Sequence, residues 1–147
     1  MNNILVKQCE SILEEKDKLA ALCNITSLLF YESKDLNWLG FYFYKNDELV
    51  LGPFQGKVAC THLSLDKGVC AASFTKDKLL NVKNVHEFAG HIACDSASNS
   101  ELVIPLKFNN VKYGVLDIDS PILNRFSEDD EETFNEIAKL ISKKIAE

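Results

Sequence analysis

The sequence is poor in arginine and in long apolar runs, and both shortages narrow the function classes. Its 16 basic residues include a single arginine, Arg125, against 22 acidic residues, which gives a net charge of -6. Such a chain has no basic stripe to neutralise a row of phosphates, so we expect no nucleic-acid partner. No apolar run approaches the roughly 18 residues of a spanning helix, and the N-terminus lacks the basic start and apolar centre of a signal peptide. We therefore expect no membrane partner and a cytoplasmic protein.

The cysteines form neither an even set nor close pairs. Five are present, namely Cys9, Cys23, Cys60, Cys70 and Cys94. An odd number without a secretion signal argues against a disulfide framework and for free thiols, some of them redox-active. Cys9 and Cys23 fall on the apolar stripes of the N-terminal segment, so we predict that both are buried as small hydrophobic side chains.

Both ends of the chain carry helical periodicity. Over residues 2–33 apolar residues recur at three- and four-residue steps, which predicts one or two helices. The C-terminal segment 126–147 predicts another helix, which Ser127 can cap. With 147 residues, 46% of them hydrophobic, and no repeat or linker, the chain fits one compact domain over residues 1–147.

Strand-forming residues fill the region between these helices. "NWLGFYFYKNDELVLGPF" and "ELVIPLKFNNVKYGVLDIDS" predict two hairpins, "VACTHLSL" predicts a further strand and "KLLNVKNV" a short one. After Gly68 a short helix is predicted, with Cys70 in its first turn. The order of helices, antiparallel hairpins and helix predicts an α+β fold, in which the N- and C-terminal helices pack on one face of a central antiparallel sheet.

Cys60, Cys70 and Cys94 lie in or beside loops, unlike the first two cysteines. Zinc binding is one interpretation, because His62 and His91 could complete a shell with these thiols. Structural zinc sites usually present ligands in close pairs such as C-x-x-C, which are absent here. We therefore expect neither a metal site nor another cofactor.

Redox or nucleophilic chemistry needs a thiolate, and a thiolate needs positive surroundings. Cys70 would lie near a helix N-terminus and near Lys67, both of which lower a thiol pKa. Cys94 has Asp95 beside it, which raises a thiol pKa unless a protonated His91 offsets the effect. The residues therefore favour Cys70 as the more ionised thiol. Whichever thiol is oxidised, a second cysteine nearby can convert the sulfenic acid to a disulfide.

Three carboxylates mark the ends of the second hairpin. Alternation in "VLDIDS" places Asp117 and Asp119 on one face of a strand, and Glu101 begins the neighbouring strand. Together they can bind an ammonium group, and a carboxyl with a raised pKa can act as a general acid. The alternative is a solvated strand end in which aspartate forms a turn.

The motifs "NWLGFY", "LGPFQGKVAC", "GVC", "HIACDSASNSE" and "GVLDIDS" follow one another between Asn37 and Ser120. In this order and spacing they resemble the free methionine-(R)-sulfoxide reductases, GAF-domain enzymes of bacteria and yeasts. The resemblance implies a GAF-like fold with a single domain over residues 1–147. It also implies reduction of free methionine-(R)-sulfoxide to methionine, with thioredoxin as electron donor. Family members are often dimers, so a homodimer is compatible with it.

The resemblance further implies roles for the three loop cysteines. Cys94 matches the thiol that attacks the sulfoxide sulfur. Cys60 and Cys70 match the two other family cysteines, one of which closes a disulfide with the oxidised thiol. A nucleophilic role for Cys70 stays open at this point.

The same resemblance implies a substrate pocket. Glu101, Asp117 and Asp119 match the acidic residues that hold the substrate and protonate or polarise its oxygen, and Trp38 and Tyr42 match the pocket walls. The alternative function is a non-catalytic GAF sensor that binds a small ligand. No output domain fits in 147 residues, and a single arginine offers little to a phosphate, so the sequence favours the enzyme.

Overall fold

The computed structural model describes residues 1–90 and 97–147. Helices stand at both ends of the described chain and strands lie between them. In chain order the elements are α1 (Asn3–Ile12), α2 (Lys18–Glu32), β1 (Trp38–Lys45), β2 (Glu48–Gly56), β3 (His62–Leu63), α3 (Val69–Lys76), β4 (Leu80–Val82), a 3-10 turn (Val85–Glu87), β5 (Ser100–Phe108), β6 (Val111–Ser120) and α4 (Glu128–Ala146).

The strands form one six-stranded sheet in the order β3-β2-β1-β6-β5-β4, and every neighbouring pair is antiparallel. Both predicted hairpins are confirmed as β1–β2 and β5–β6. Asn46 and Asp47 turn the first, and Asn109 and Asn110 turn the second, all with positive φ. Aspartate and asparagine tolerate this conformation better than other side chains do, which explains where the two turns fall.

The terminal helices α1, α2 and α4 cover one face of the sheet. Their apolar side chains join those of the central strands in one core, which includes Ile25, Leu29, Phe41, Leu116 and Ile137. Ser127 caps α4 in a reciprocal capping box with Asp130, as the sequence predicts for this helix start. The predicted α+β layering is confirmed. Across residues 1–90 and 97–147, no helix is both long and apolar enough to cross a lipid bilayer.

Of the two N-terminal cysteines only one is buried. Cys9 lies fully within the core, and burial raises its pKa to about 12. Cys23 is exposed, so the prediction that it is buried is wrong. Leu22, Ile25 and Leu29 face the core, and the residue after Leu22 is turned by about 100° around the helix axis toward solvent.

The opposite face of the sheet carries α3 and the loops around it, and β3 forms the edge of the sheet beside them. The predicted strand "VACTHLSL" is shorter than expected, since only His62–Leu63 pairs with β2. The preceding residues instead form a loop over the sheet. Gly114 lets β6 approach β1 on this sheet, because a Cβ there would meet the backbone oxygen of Tyr42. A cleft opens between this loop, the start of α3 and the strands.

Candidate active site

The floor of the cleft is a row of side chains across three strands. Trp38 on β1 pairs with Asp119 on β6, and Asp119 in turn pairs with Glu101 on β5. Directly paired residues point to the same face of a sheet, so an aromatic ring and two carboxyl groups lie side by side. Asp117 stands in the next row of that face, between Gly40 and Val103.

The roof of the cleft is the start of α3. Gly68 adopts a φ of +96°, a conformation suited to glycine, and Lys67, Val69 and Cys70 line the cleft beside it. The first N–H groups of a helix have no acceptor within it, and they carry the positive end of the helix dipole. This end of α3 is therefore suited to an anionic group.

Two aromatic side chains hold the loop that closes the side of the cleft. Trp38 donates from Nε1 to the carbonyl of Lys57 at 3.1 Å, and the hydroxyl of Tyr42 donates to the carbonyl of Cys60 at 2.8 Å. The two rings stack with centroids 5.8 Å apart. Both aromatic residues line the cleft as predicted, and they also fix the position of Cys60.

Burial controls the electrostatics of the carboxyl cluster. Glu101 and Asp117 are each about 6% exposed. Burial, reinforced by the charges of Asp117 and Asp119 and by hydrogen bonds to them, raises the pKa of Glu101 well above its ordinary value. Glu101 therefore holds a proton at a pH where an exposed glutamate is ionised, as the general-acid interpretation requires.

The thiol of Cys70 lies in this same buried cluster. Its Sγ and one carboxylate oxygen each of Glu101 and Asp117 are within 4.8 Å of one another. Burial, followed by the nearby carboxylates, raises the pKa of the Cys70 thiol well above its ordinary value. The expected lowering of the Cys70 pKa is thus wrong, because these effects outweigh the start of α3 and Lys67. The comparison with Cys94 stays a prediction, since Cys94 lies outside the described residues.

Cys60 is disulfide-bonded, whereas Cys9, Cys23 and Cys70 are free thiols. Cys60 packs at the edge of the apolar cluster that includes Trp38, Tyr42 and Cys70, and its neighbour Ala59 lines the cleft. Cys94, the predicted nucleophile, lies outside the described residues, together with His91 and Asp95.

The zinc shell considered from the sequence is not assembled by the described residues. His62 is exposed at the sheet edge, where its Nδ1 lies 2.7 Å from Oε1 of Glu48. Cys60 is in a disulfide, and Cys70 instead faces two carboxylates. His62 therefore has a partner away from the cleft.

The cleft has an empty volume of about 590 Å³, counted with its open mouth. Six of the described residues that the sequence predicts for the site line this cleft, namely Trp38, Tyr42, Cys70, Glu101, Asp117 and Asp119. Cys60 is not among the lining residues and packs beside them. Sequence reasoning did not assign Lys67 and Ser98 to the substrate pocket, although both line it. Ser98 accepts a hydrogen bond from Asn37 at 2.9 Å.

Comparisons with known proteins identify the family of this chain. The GAF domain family model matches residues 11–145. Free methionine-R-sulfoxide reductase of Escherichia coli is 45% identical over 132 residues, which cover 90% of this chain and 80% of that protein. The chain belongs to the GAF-domain family of free methionine-(R)-sulfoxide reductases. The predicted family, fold and enzyme class are confirmed.

Solved structures of the family share this fold. The reduced form of fRMsr from Staphylococcus aureus superposes with a TM-score of 0.93 at 43% identity, covering 97% of this chain and 94% of that one. Free methionine-R-sulfoxide reductase of Neisseria meningitidis, solved in complex with its substrate, gives a TM-score of 0.92 at 39% identity, with 97% and 86% coverage. These likenesses span nearly the whole chain, including the strands that form the floor of the cleft.

Proposed function

We propose that this chain reduces free L-methionine-(R)-S-oxide to L-methionine in the cleft between α3 and the sheet. The observation that carries the proposal is a buried Glu101 with a raised pKa, beside other acidic groups and an aromatic wall. Sulfoxide oxygen leaves readily only when protonated, and this carboxyl can deliver the proton. The names of the relatives from Escherichia coli and Neisseria meningitidis support the same substrate.

The proposed chemistry begins with attack of a cysteine thiolate on the sulfoxide sulfur. Glu101 gives its proton to the sulfoxide oxygen, and the oxygen passes to the cysteine sulfur as the bond between the two sulfur atoms breaks. The products are methionine, reduced by two electrons, and a cysteine sulfenic acid. A second thiol attacks this sulfenic acid, releases water and closes a disulfide. An external dithiol reopens the disulfide by exchange and resets the enzyme.

We assign the attacking thiolate to Cys94 and the resolving thiol to Cys60. The raised pKa of Cys70 favours this assignment, because a buried, protonated thiol is a poor nucleophile. The disulfide at Cys60 is in line with a resolving role, since Cys9, Cys23 and Cys70 remain free. Cys70 then serves as a wall of the cleft and a hydrogen-bond partner of Asp117.

The cleft can recognise each end of a free amino acid. Asp117 and Asp119 can accept the ammonium group, and Trp38 and Tyr42 can seat the S-methyl group, since contact between sulfur and an aromatic ring is favourable. The carboxylate suits the N-terminal end of α3 together with the ammonium of Lys67. A peptide-bound sulfoxide lacks both charges, so this arrangement explains a preference for the free form.

Thioredoxin is the proposed reductant, because a protein dithiol can exchange with a disulfide beside an open cleft. The proposed catalytic unit is a single GAF domain over residues 1–147. It acts in the cytoplasm, where the thioredoxin system supplies electrons. The proposed assembly is a homodimer of such units. The match of the family model to residues 11–145 supports one domain.

A coupled assay tests the activity directly. NADPH consumption through thioredoxin reductase and thioredoxin is followed with free methionine-(R)-sulfoxide, the (S) epimer and a peptide-bound sulfoxide. Turnover of the free (R) form alone is expected. If no sulfoxide is turned over by protein whose thiols are intact, the reductase proposal is wrong and the ligand-binding GAF sensor takes its place.

A further inference from the structure

The cluster at the base of the cleft has the composition of a metal site as well as that of an acid catalyst. The Sγ of Cys70 and one carboxylate oxygen each from Glu101 and Asp117 lie within 4.8 Å of one another, and all three residues are buried. They come from the first turn of α3, from β5 and from β6, so elements that are packed together hold them in place. The proposed chemistry uses the proton of Glu101 but does not need the thiol of Cys70.

The spacing of the three atoms suits a single small ion. With no separation above 4.8 Å, an ion at their centre lies within about 3 Å of each, and modest side-chain rotation brings it to zinc distances of about 2.0 to 2.3 Å. Three protein ligands leave a fourth position facing the cleft, as in zinc sites that keep an open coordination position. The same cleft provides the path by which an ion reaches the cluster.

The donor set selects the class of ion. Calcium and magnesium take oxygen ligands, and a thiolate is not among the donors they prefer. A thiolate combined with carboxylates suits a borderline divalent ion such as zinc, with cobalt as its spectroscopic substitute. Binding of a divalent cation would release the protons of Glu101 and Cys70, and the cation would then neutralise the charge of the carboxylates and the thiolate.

We propose that Cys70, Glu101 and Asp117 bind zinc or a similar divalent ion, and that the ion competes with the sulfoxide for the cleft. Free zinc would then inhibit the enzyme, and bound sulfoxide would protect the enzyme from this inhibition. The metal site stands on the geometry alone, whereas the competition rests on the proposed function.

Cobalt binding tests the metal site without any turnover. Cobalt(II) chloride is titrated into the disulfide form, in which Cys60 has no thiol to offer, and absorption from thiolate-to-cobalt charge transfer is recorded. We expect this band in the wild type and its loss in Cys70→Ser. Cobalt affinity in Glu101→Gln should fall by at least about 10- to 100-fold, since even outer-shell partners of a metal contribute that much.

Two matched variants exclude the other ligands that the surface offers. Cys23→Ser removes the exposed thiol, and His62→Ala removes the imidazole beside Glu48. Both should keep the band and the affinity of the wild type. A band that survives in Cys70→Ser, a band that disappears in either surface variant, or no band at millimolar cobalt would overturn the site. Thermal unfolding without metal shows whether each variant is folded. If Cys70→Ser does not fold, the loss of cobalt affinity in Glu101→Gln is the test of the site.

Competition is read from the same spectrum. Free methionine-(R)-sulfoxide added to the cobalt complex of the disulfide form, which cannot turn over, should abolish the band, and zinc should do so at equimolar amounts. A band unchanged at saturating sulfoxide overturns the competition, although not the metal site. Cobalt binding by a protein that reduces no sulfoxide would refute the proposed function and leave the metal site standing, so the two failures are distinguishable.

Discussion

Glu101 lies directly opposite Asp119 in the antiparallel pairing of β5 and β6, so two carboxyl groups meet on one face of the sheet. Paired positions bring Cβ atoms to about 5 Å, a distance at which like charges destabilise a sheet. Glu101 is also buried and close to Asp117. The folded state therefore favours the protonated form of Glu101, and ionisation of this carboxyl lowers stability.

Glu101→Gln should make the protein more stable at neutral pH. The folded-state pKa of Glu101 is raised above the ordinary value of 4.5, so the unfolded chain releases this proton first as pH rises. Wild-type stability then falls from about pH 4.5 upward until the folded-state pKa is passed. Glutamine does not ionise, and its gain should be of order 1 kcal/mol or more at pH 7, because one pKa unit corresponds to about 1.4 kcal/mol.

Urea unfolding at pH 4 and pH 7 measures this difference. The advantage of Glu101→Gln should be large at pH 7 and small at pH 4. Glu87→Gln, at an exposed position, is the matched control and should differ little from the wild type at either pH. Equal or lower stability of Glu101→Gln at pH 7 would contradict a raised pKa of Glu101.

The reductase activity should decline on the alkaline side as Glu101 loses its proton. Because the pKa of Glu101 is raised, this decline begins well above the range of an exposed glutamate. Glu101→Gln should lower the rate of the chemical step by about 10²- to 10⁴-fold, the usual contribution of a general acid, and should remove that alkaline decline. Single-turnover rates across pH measure both effects. An alkaline decline that persists unchanged in Glu101→Gln would assign the titrating proton to another group.

Cys70→Ser should still release one equivalent of methionine per protein, whereas Cys94→Ser should release none. The reason is the raised pKa of the Cys70 thiol, which keeps it protonated where the reaction runs. Cys60→Ser should give one equivalent and then stop with thioredoxin present, because no disulfide can close. Quenched reactions of the reduced proteins, with methionine counted by chromatography, provide the measurement.

Cys23→Ser is the control for this series, since it removes a free thiol far from the described cleft lining and should leave full turnover. The opposite pattern, with methionine from Cys94→Ser and none from folded Cys70→Ser, would make Cys70 the nucleophile.

Part of the carboxyl cluster could be predicted from the sequence by local rules. Alternation along β6 places Asp117 and Asp119 on one face, and the Asn109-Asn110 turn joins β5 and β6 in a hairpin. The exact pairing could not be predicted, because a register shift between Leu106 and Lys107 is what brings Glu101 opposite Asp119 and not opposite Ile118. The pairing of β1 with β6, which adds Trp38 to this row, joins distant parts of the chain and was not predicted. The family resemblance implied only that Trp38 lines the pocket.

The ionisation of Cys70 could not be predicted in the same way. Its place in the first turn of α3 is local information and was correct. The groups that dominate its pKa are Glu101 and Asp117, which reach it only when α3 packs on the sheet, and burial is the largest effect. The prediction that Cys23 is buried was wrong for a related reason. Helix α2 has apolar residues around much of its circumference, and periodicity alone did not show which of them face the core.

Lys67→Met should raise the KM for free methionine-(R)-sulfoxide by about tenfold with little change in kcat. A hydrogen bond to a charged group contributes about 1.5 to 3 kcal/mol to the free energy of binding. The lower end of this range applies to the exposed side chain of Lys67, and it corresponds to about tenfold in affinity. Lys67→Arg should keep most of the affinity, because it keeps the charge. Lys83→Met, an exposed lysine outside the cleft lining, is the matched control.

The amide of methionine sulfoxide shows whether Lys67 acts through the substrate carboxylate. This compound keeps the ammonium group and the sulfoxide but has no negative charge, so the wild type should bind it more weakly than the free acid. In Lys67→Met the difference between acid and amide should shrink, since one of the two interacting charges is already absent. If the KM values for acid and amide rise by the same factor, Lys67 shapes the cleft and does not bind the carboxylate. The preference for the free amino acid would then depend on the N-terminal end of α3.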